Sequence, residues 1–186
     1  MYFHGLGGFS DQYSKVAVSS DGVIFKANEG RVGPPYMRTF QHDGWVYAQA
    51  MPGVFLRSRD GFTGWETGPR LFPVTQRHSA LLKRGDTLHV FWTRVGDAPE
   101  SILASRIDIS GDWKTWKASE PVPVLRPERP WEGADLPVEK SYRSATFHPA
   151  NQLRDPCIFE DRGRTYMLYA VRGEGGIGIA ELKIRG

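Results

Sequence analysis

Two short phrases alternate along this chain, and their alternation constrains the fold more than any other feature. The first is an apolar residue, a polar turn containing glycine, and an apolar strand. It occurs as Phe40 with the turn 41–44 before Trp45, as Leu82 with 83–86 before Thr87, and as Phe159 with 160–163 before Arg164. The second is serine, any residue, aspartate and glycine ahead of an aromatic. It occurs from Ser19 to Phe25 and from Ser58 to Trp65, and in loosened form from Ser110 to Trp116. Alternating units of this kind mark a toroidal repeat such as a β-propeller. The chain opens on Met1-Tyr2-Phe3-His4-Gly5-Leu6, which reads as the middle of a repeat.

The strands can be placed from the same phrases. Lys15–Ser19 alternates with period two, and Trp45–Ala50, Thr87–Trp92 and Thr165–Ala170 are short, β-branched and aromatic-rich. Asp43-Gly44 is a strong hairpin signal, because glycine tolerates positive φ. A third strand follows each hairpin, and the serine–aspartate turn then leads to a fourth. No window sustains a helical apolar period. The expected fold class is therefore all-β, a propeller of four-stranded antiparallel blades, with about three to three-and-a-half blades present. A partial blade is expected at 1–29 and full blades at 33–72 and 75–124. A last blade is expected at 151–184. An irregular proline-rich segment, 125–150, precedes it, and loops of that length are often functional. All of this belongs to one domain, 1–186, a length that can bury a real core.

Charge and cysteine use exclude several classes. The net charge is +3, with basic residues interspersed among acids rather than massed, so no nucleic-acid footprint is expected. Cys157 is the only cysteine, which excludes an intrachain disulfide and a zinc–cysteine cluster; it reads as a buried small hydrophobe. No apolar run is long enough for a membrane helix, and no leader is visible, so the default location is cytoplasmic.

The stretch from Leu153 to Leu182 carries a resemblance. Arg154-Asp155-Pro156 opening an innermost strand, followed by the Phe159–Tyr166 hairpin, resembles the five-bladed propeller glycoside hydrolases of families 43, 32, 68, 117 and 130. Trp131-Glu132-Gly133-Ala134-Asp135-Leu136 looks like the loop that supplies an acid in those enzymes. With Arg77-His78-Ser79-Ala80 and Phe91–Glu100, the likeness is greatest to family 43. The resemblance implies five blades, with catalytic carboxylates on the innermost strands of several blades, including the first two. It also implies that the water-activating base lies in a blade this chain does not contain, as in an N-terminally truncated member. Glu132 preceding Asp155 departs from family 32, where the arginine–aspartate–proline element comes first.

Glycosidic cleavage typically uses two carboxyl groups, one protonated and one ionised. The expected catalytic pair is Glu132, as general acid, and Asp155, orienting a sugar hydroxyl or tuning the acid by its charge. The plain alternatives are an exposed loop carboxylate for Glu132 and a structural arginine pair for Asp155. Arg38, Arg77 and Arg154 at three equivalent strand starts, with His78 and Trp131, are the expected substrate-binding residues. Arginine forks hold carboxylates or sugar oxygens, and tryptophan stacks on sugar rings. The alternative for the arginines is three separate structural ion pairs. No metal site or cofactor is expected, although His78 has the chemistry to hold a central structural ion.

Two functions remain open. One is a glycosidase-like protein acting on or binding an oligosaccharide, with an incomplete catalytic set. The other is a non-catalytic propeller piece that binds carbohydrate or protein. The expected partners are a carbohydrate ligand and further copies of the chain. An open set of blades would expose apolar faces and a strand edge, which drives homo-oligomerisation.

Overall fold

The computed structural model describes residues 1–8 and 11–184. Phe9, Ser10, Arg185 and Gly186, which the expected domain includes, lie outside the described residues. The chain forms two compact units, residues 1–74 with 111–116, and residues 75–110 with 117 onward. Each contains two sheets, and every paired strand in all four is antiparallel. The all-β, blade-type architecture expected from the phrases is the one observed.

In the first unit, β1 (Tyr2–Gly8), β2 (Asp11–Val18) and β3 (Lys26–Ala27) form a three-stranded meander. Strands β4 (Arg38–His42), β5 (Trp45–Ala50), β6 (Val54–Ser58) and β7 (Glu66–Arg70) form a four-stranded one. Asp43 and Gly44 both have positive φ, 46° and 70°, as a tight hairpin turn requires. The Ser–Asp–Gly turns are built by their side chains. Asp60 Oδ1 accepts the backbone N–H groups of Phe62 and Thr63 at 2.7 and 2.8 Å, and Asp21 Oδ1 does the same for Val23 and Ile24. The loosened third phrase folds differently. Asp112 caps a single 3-10 turn, Trp113–Thr115, by accepting the Lys114 N–H. That turn delivers Trp113 and Trp116 to the core of this unit, where Trp116 packs on Tyr47 at 5.0 Å and on Phe55 at 6.0 Å. Gly68 makes room for Trp113, because a Cβ there would lie 2.2 Å from the ring.

In the second unit, β8 (Gln76–Arg84), β9 (Thr87–Arg94), β10 (Ile102–Asp108) and β11 (Val122–Leu125) form one sheet. Strands β12 (Arg154–Asp161), β13 (Arg164–Val171) and β14 (Gly176–Leu182) form the other. Ala80, Leu82, Phe91, Ile102, Leu153, Met167, Tyr169 and Val171 share one core. The opposite face of the last sheet is apolar and open. Cys157, Leu168 and Ile179 are register partners there, as are Ala170 and Ile177, and Phe159 stacks on Tyr166. Ile177 is 78% exposed and Ile179 60%. Cys157, expected to be buried, is exposed on this face. The alternation that buries Ile158 and Met167 directs Cys157 outward.

Candidate functional site

The candidate site lies in the second unit, where β8 and β12 each begin with an irregularity. Pairing between β8 and β9 jumps from Arg77–Thr93 to Ser79–Trp92 and passes over His78. Pairing between β12 and β13 jumps from Arg154–Ala170 to Cys157–Leu168 and passes over Asp155 and Pro156. One extra residue on each strand makes a bulge, which re-aims the side chains at that point. Of the residues passed over, His78 and Asp155 have positive φ, 24° and 48°. Non-glycine residues rarely adopt this conformation, and where they do the surrounding structure must hold them there.

The two bulges bring these residues together. His78 Nδ1 lies 3.0 Å from Asp155 Oδ1. Arg77 Nη2 lies 3.5 Å from His78 Nε2. A guanidinium can only donate, so this contact places the ring hydrogen on Nδ1, facing Asp155. The Asp155 side chain is 42% exposed, with His78 as its ion-pair partner. Burial raises its pKa, but the His78 contact and the charges of Arg77 and Arg154 outweigh that and hold the carboxyl below the ordinary aspartate range. The result is an ionised carboxylate, fixed on one side and open on the other.

The neighbouring arginines point inward, contrary to the expectation that they face a ligand. Arg77 and Arg154 are only 4% and 2% exposed. Arg77 Nη1 donates to the Tyr142 carbonyl at 2.7 Å and Nη2 to the Ser144 carbonyl at 3.4 Å. Arg154 Nη1 donates to the Ser144 carbonyl at 3.1 Å and to Glu174 at 2.9 Å, and Nε donates to Gln152. Burial lowers the Arg77 pKa, opposed by the nearby Glu100 carboxylate. At the start of β12 the bulge leaves Arg154 buried and Asp155 half-exposed, whereas at the start of β8 both Arg77 and His78 are buried.

Glu132, expected to overhang a ligand as an acid, also turns inward. Its Oε2 accepts the backbone N–H groups of Glu128 and Arg129, both at 2.9 Å, and its Oε1 accepts the Tyr169 hydroxyl at 2.8 Å. Burial and the Glu132 carboxylate push the Tyr169 phenol far above its ordinary pKa. Glu132 thus anchors its loop to β13. Trp131 beside it stays half-exposed. Its ring rests over Gly178, where a Cβ would come within 3.1 Å of it. It borders a groove of about 460 Å³ lined by Pro123, Val124, Leu125 and Arg129. A second cleft, of about 380 Å³, is lined by Lys140, Tyr142, Ser144, His148, Gln152 and Arg154. Arg38 begins β4 in the first unit, half-buried, with a 3.4 Å bond to the Met37 carbonyl.

His78 does not fit a directly bound central cation, because its ring nitrogens face Asp155 and a guanidinium. Among the described residues, no group of three or more histidine, cysteine, aspartate or glutamate side chains could hold a metal ion. Among them too, no helix is long and apolar enough to cross a membrane.

No protein-family model matches the chain. In sequence it is similar to an uncharacterized protein of Acanthamoeba polyphaga mimivirus, 40% identical over 202 residues. That match covers 98% of this chain and 56% of the viral protein, so the chain spans little more than half the length of that relative. In structure it is similar to a thermostable family-43 glycoside hydrolase, with a TM-score of 0.66 and 14% identity, covering 97% of this chain and 69% of that one. The fold is that of the family-43 propellers. An α-L-arabinofuranosidase from Lactobacillus brevis aligns with a TM-score of 0.62 and 10% identity, over 99% of this chain and 68% of that one. A Cellvibrio cellulosa α-L-arabinanase complexed with arabinohexaose aligns with a TM-score of 0.61 and 12% identity, over 100% of this chain and 70% of that one.

Proposed function

We propose that this chain binds an oligosaccharide on its second unit, with Asp155 as the polar contact and Trp131 as a stacking surface. The observation that carries this reading is the His78–Asp155 pair, mounted on two bulged, positive-φ strand starts. An ionised, half-exposed carboxylate accepts hydrogen bonds from sugar hydroxyls, and charged acceptors make stronger bonds than neutral ones. Trp131 offers an open ring face beside a groove. The fold is shared with an arabinanase whose structure is complexed with arabinohexaose. In this reading His78 orients Asp155, Arg77 and Arg154 hold the surrounding chain, and Glu132 fixes the loop that carries Trp131.

Binding is favoured over hydrolysis by these residues alone. Cleavage needs a carboxylic acid positioned to protonate the leaving group. Glu132 has both oxygens taken by donors. Asp155 is held ionised. Calorimetric titration with arabino- and xylo-oligosaccharides tests the reading. Saturable binding that is lost in Asp155→Asn supports it, and heats indistinguishable from buffer across the panel refute it.

The open face of the last sheet supports a second reading, self-association of this chain. A contiguous apolar surface built from Cys157, Phe159, Leu168, Ile177 and Ile179 is an association site by the usual physical criteria.

A further inference from the structure

Glu100 closes the Phe91–Glu100 stretch but was given no role from the sequence, and it is the most completely buried charged residue of the second unit, at 0% exposure. Its backbone is tied to the start of the last sheet. The Glu100 carbonyl accepts the Leu153 N–H at 2.9 Å, and Glu100 bridges Gln152 in parallel. Its carboxylate lies 3.5 Å from Arg154 Nε and 3.7 Å from Arg77 Nη1. Neither carboxylate oxygen has a hydrogen bond among the described residues.

A buried carboxylate without hydrogen bonds is a poor device for stability, since desolvation costs as much as a loose pair returns. What it does supply is the negative charge between two buried cations that would otherwise repel. The arginines it balances converge on one target. Arg77 and Arg154 both donate to the Ser144 carbonyl, and Arg77 also takes the Tyr142 carbonyl. Residues 133–153 contain no strand, so these bonds stand in for a sheet ladder. Tyr142 and Ser144 form part of the wall of the 380 Å³ cleft.

We propose that Glu100 is a positioning residue: its buried charge holds Arg77 and Arg154 side by side so that their forks clamp the 142–144 stretch against the sheets. The consequence for a sugar ligand rests on the binding function proposed above; the clamp itself does not.

The test is amide hydrogen exchange of the full chain, comparing wild type with Glu100→Gln, which keeps the shape and removes the charge. The expected result is exchange at least tenfold faster at the Ser141, Ser144 and Thr146 amides, with protection of β13 within twofold of wild type. Unchanged exchange at 141–146 overturns the proposal. So does an increase spread evenly over the unit, which is what a merely destabilising change would give. If Glu100→Gln does not fold, Arg77→Lys takes its place. It keeps the charge but loses the fork, and is expected to loosen the same three amides; no loosening overturns the clamp. Oligosaccharide titration of the same variants is expected to show roughly tenfold weaker binding. A wild-type protein that binds no sugar removes the proposed function while leaving the exchange result to decide the clamp.

Discussion

His78 and Asp155 meet at 3.0 Å across two strand starts that lie 77 positions apart, each with a positive φ. Asp155→Asn keeps the size of the side chain and removes the charge. It is expected to weaken sugar binding roughly 10- to 100-fold, the range for losing a hydrogen bond to a charged group. Isothermal calorimetry measures the change.

The pH dependence follows from the depressed pKa of Asp155. A carboxyl whose folded value lies below its unfolded value, about 3.9, contributes fully above that value. The contribution fades as pH falls through the lower folded value. Binding is therefore expected to stay constant from neutral pH down to about 4, and to fall only below that. A titration series across this range checks it, and a decline beginning near pH 6 would implicate a different group.

Tyr169 and Glu132 make the bond that fastens the Trp131 loop to β13. Tyr169→Phe leaves Glu132 Oε1 buried without its donor, at an expected cost of about 1–3 kcal/mol. Urea denaturation measures it. A double mutant with Glu132→Gln should cost less than the sum of the two single changes, because the two residues share one interaction.

Gly68 lies directly against the Trp113 ring. Gly68→Ala is expected to destabilise by about 1–3 kcal/mol through overpacking, and Gly68→Ala with Trp113→Leu is expected to recover part of that loss. Thermal denaturation monitored by tryptophan fluorescence distinguishes the two.

The open apolar face predicts concentration-dependent self-association. Ile177→Lys combined with Ile179→Lys should yield a monomer by light scattering without lowering the melting temperature, since both side chains already face solvent. Cys157, the single thiol, sits on the same face and reports its coverage through its labelling rate.

Much of the fold is legible in the sequence, because its strongest signals are local. Asp21 and Asp60 build their turns from atoms within three residues, and Asp43-Gly44 needs only its own φ preferences. The site is legible in part. His78 and Asp155 stand at positions that motif reading picks out. Arg77, Arg154 and Glu132 are picked out as well, but their direction depends on bulges and on partners far along the chain. One extra residue in β8 and in β12 re-aims the side chains at each strand start. Glu100 closes the Phe91–Glu100 stretch, but nothing local in it signals a buried counter-charge. Two buried arginines require a counter-charge, but which carboxylate supplies it is decided by the packing of the segment between β9 and β10 against the start of β12.

The central claim, that a carbohydrate is held at Asp155, is tested most directly by calorimetric titration of the wild type and Asp155→Asn with arabinohexaose and xylohexaose in parallel. Saturable binding of at least one of them by the wild type, reduced tenfold or more in the variant, is the predicted result. Equal binding by both proteins, or none by either, contradicts it.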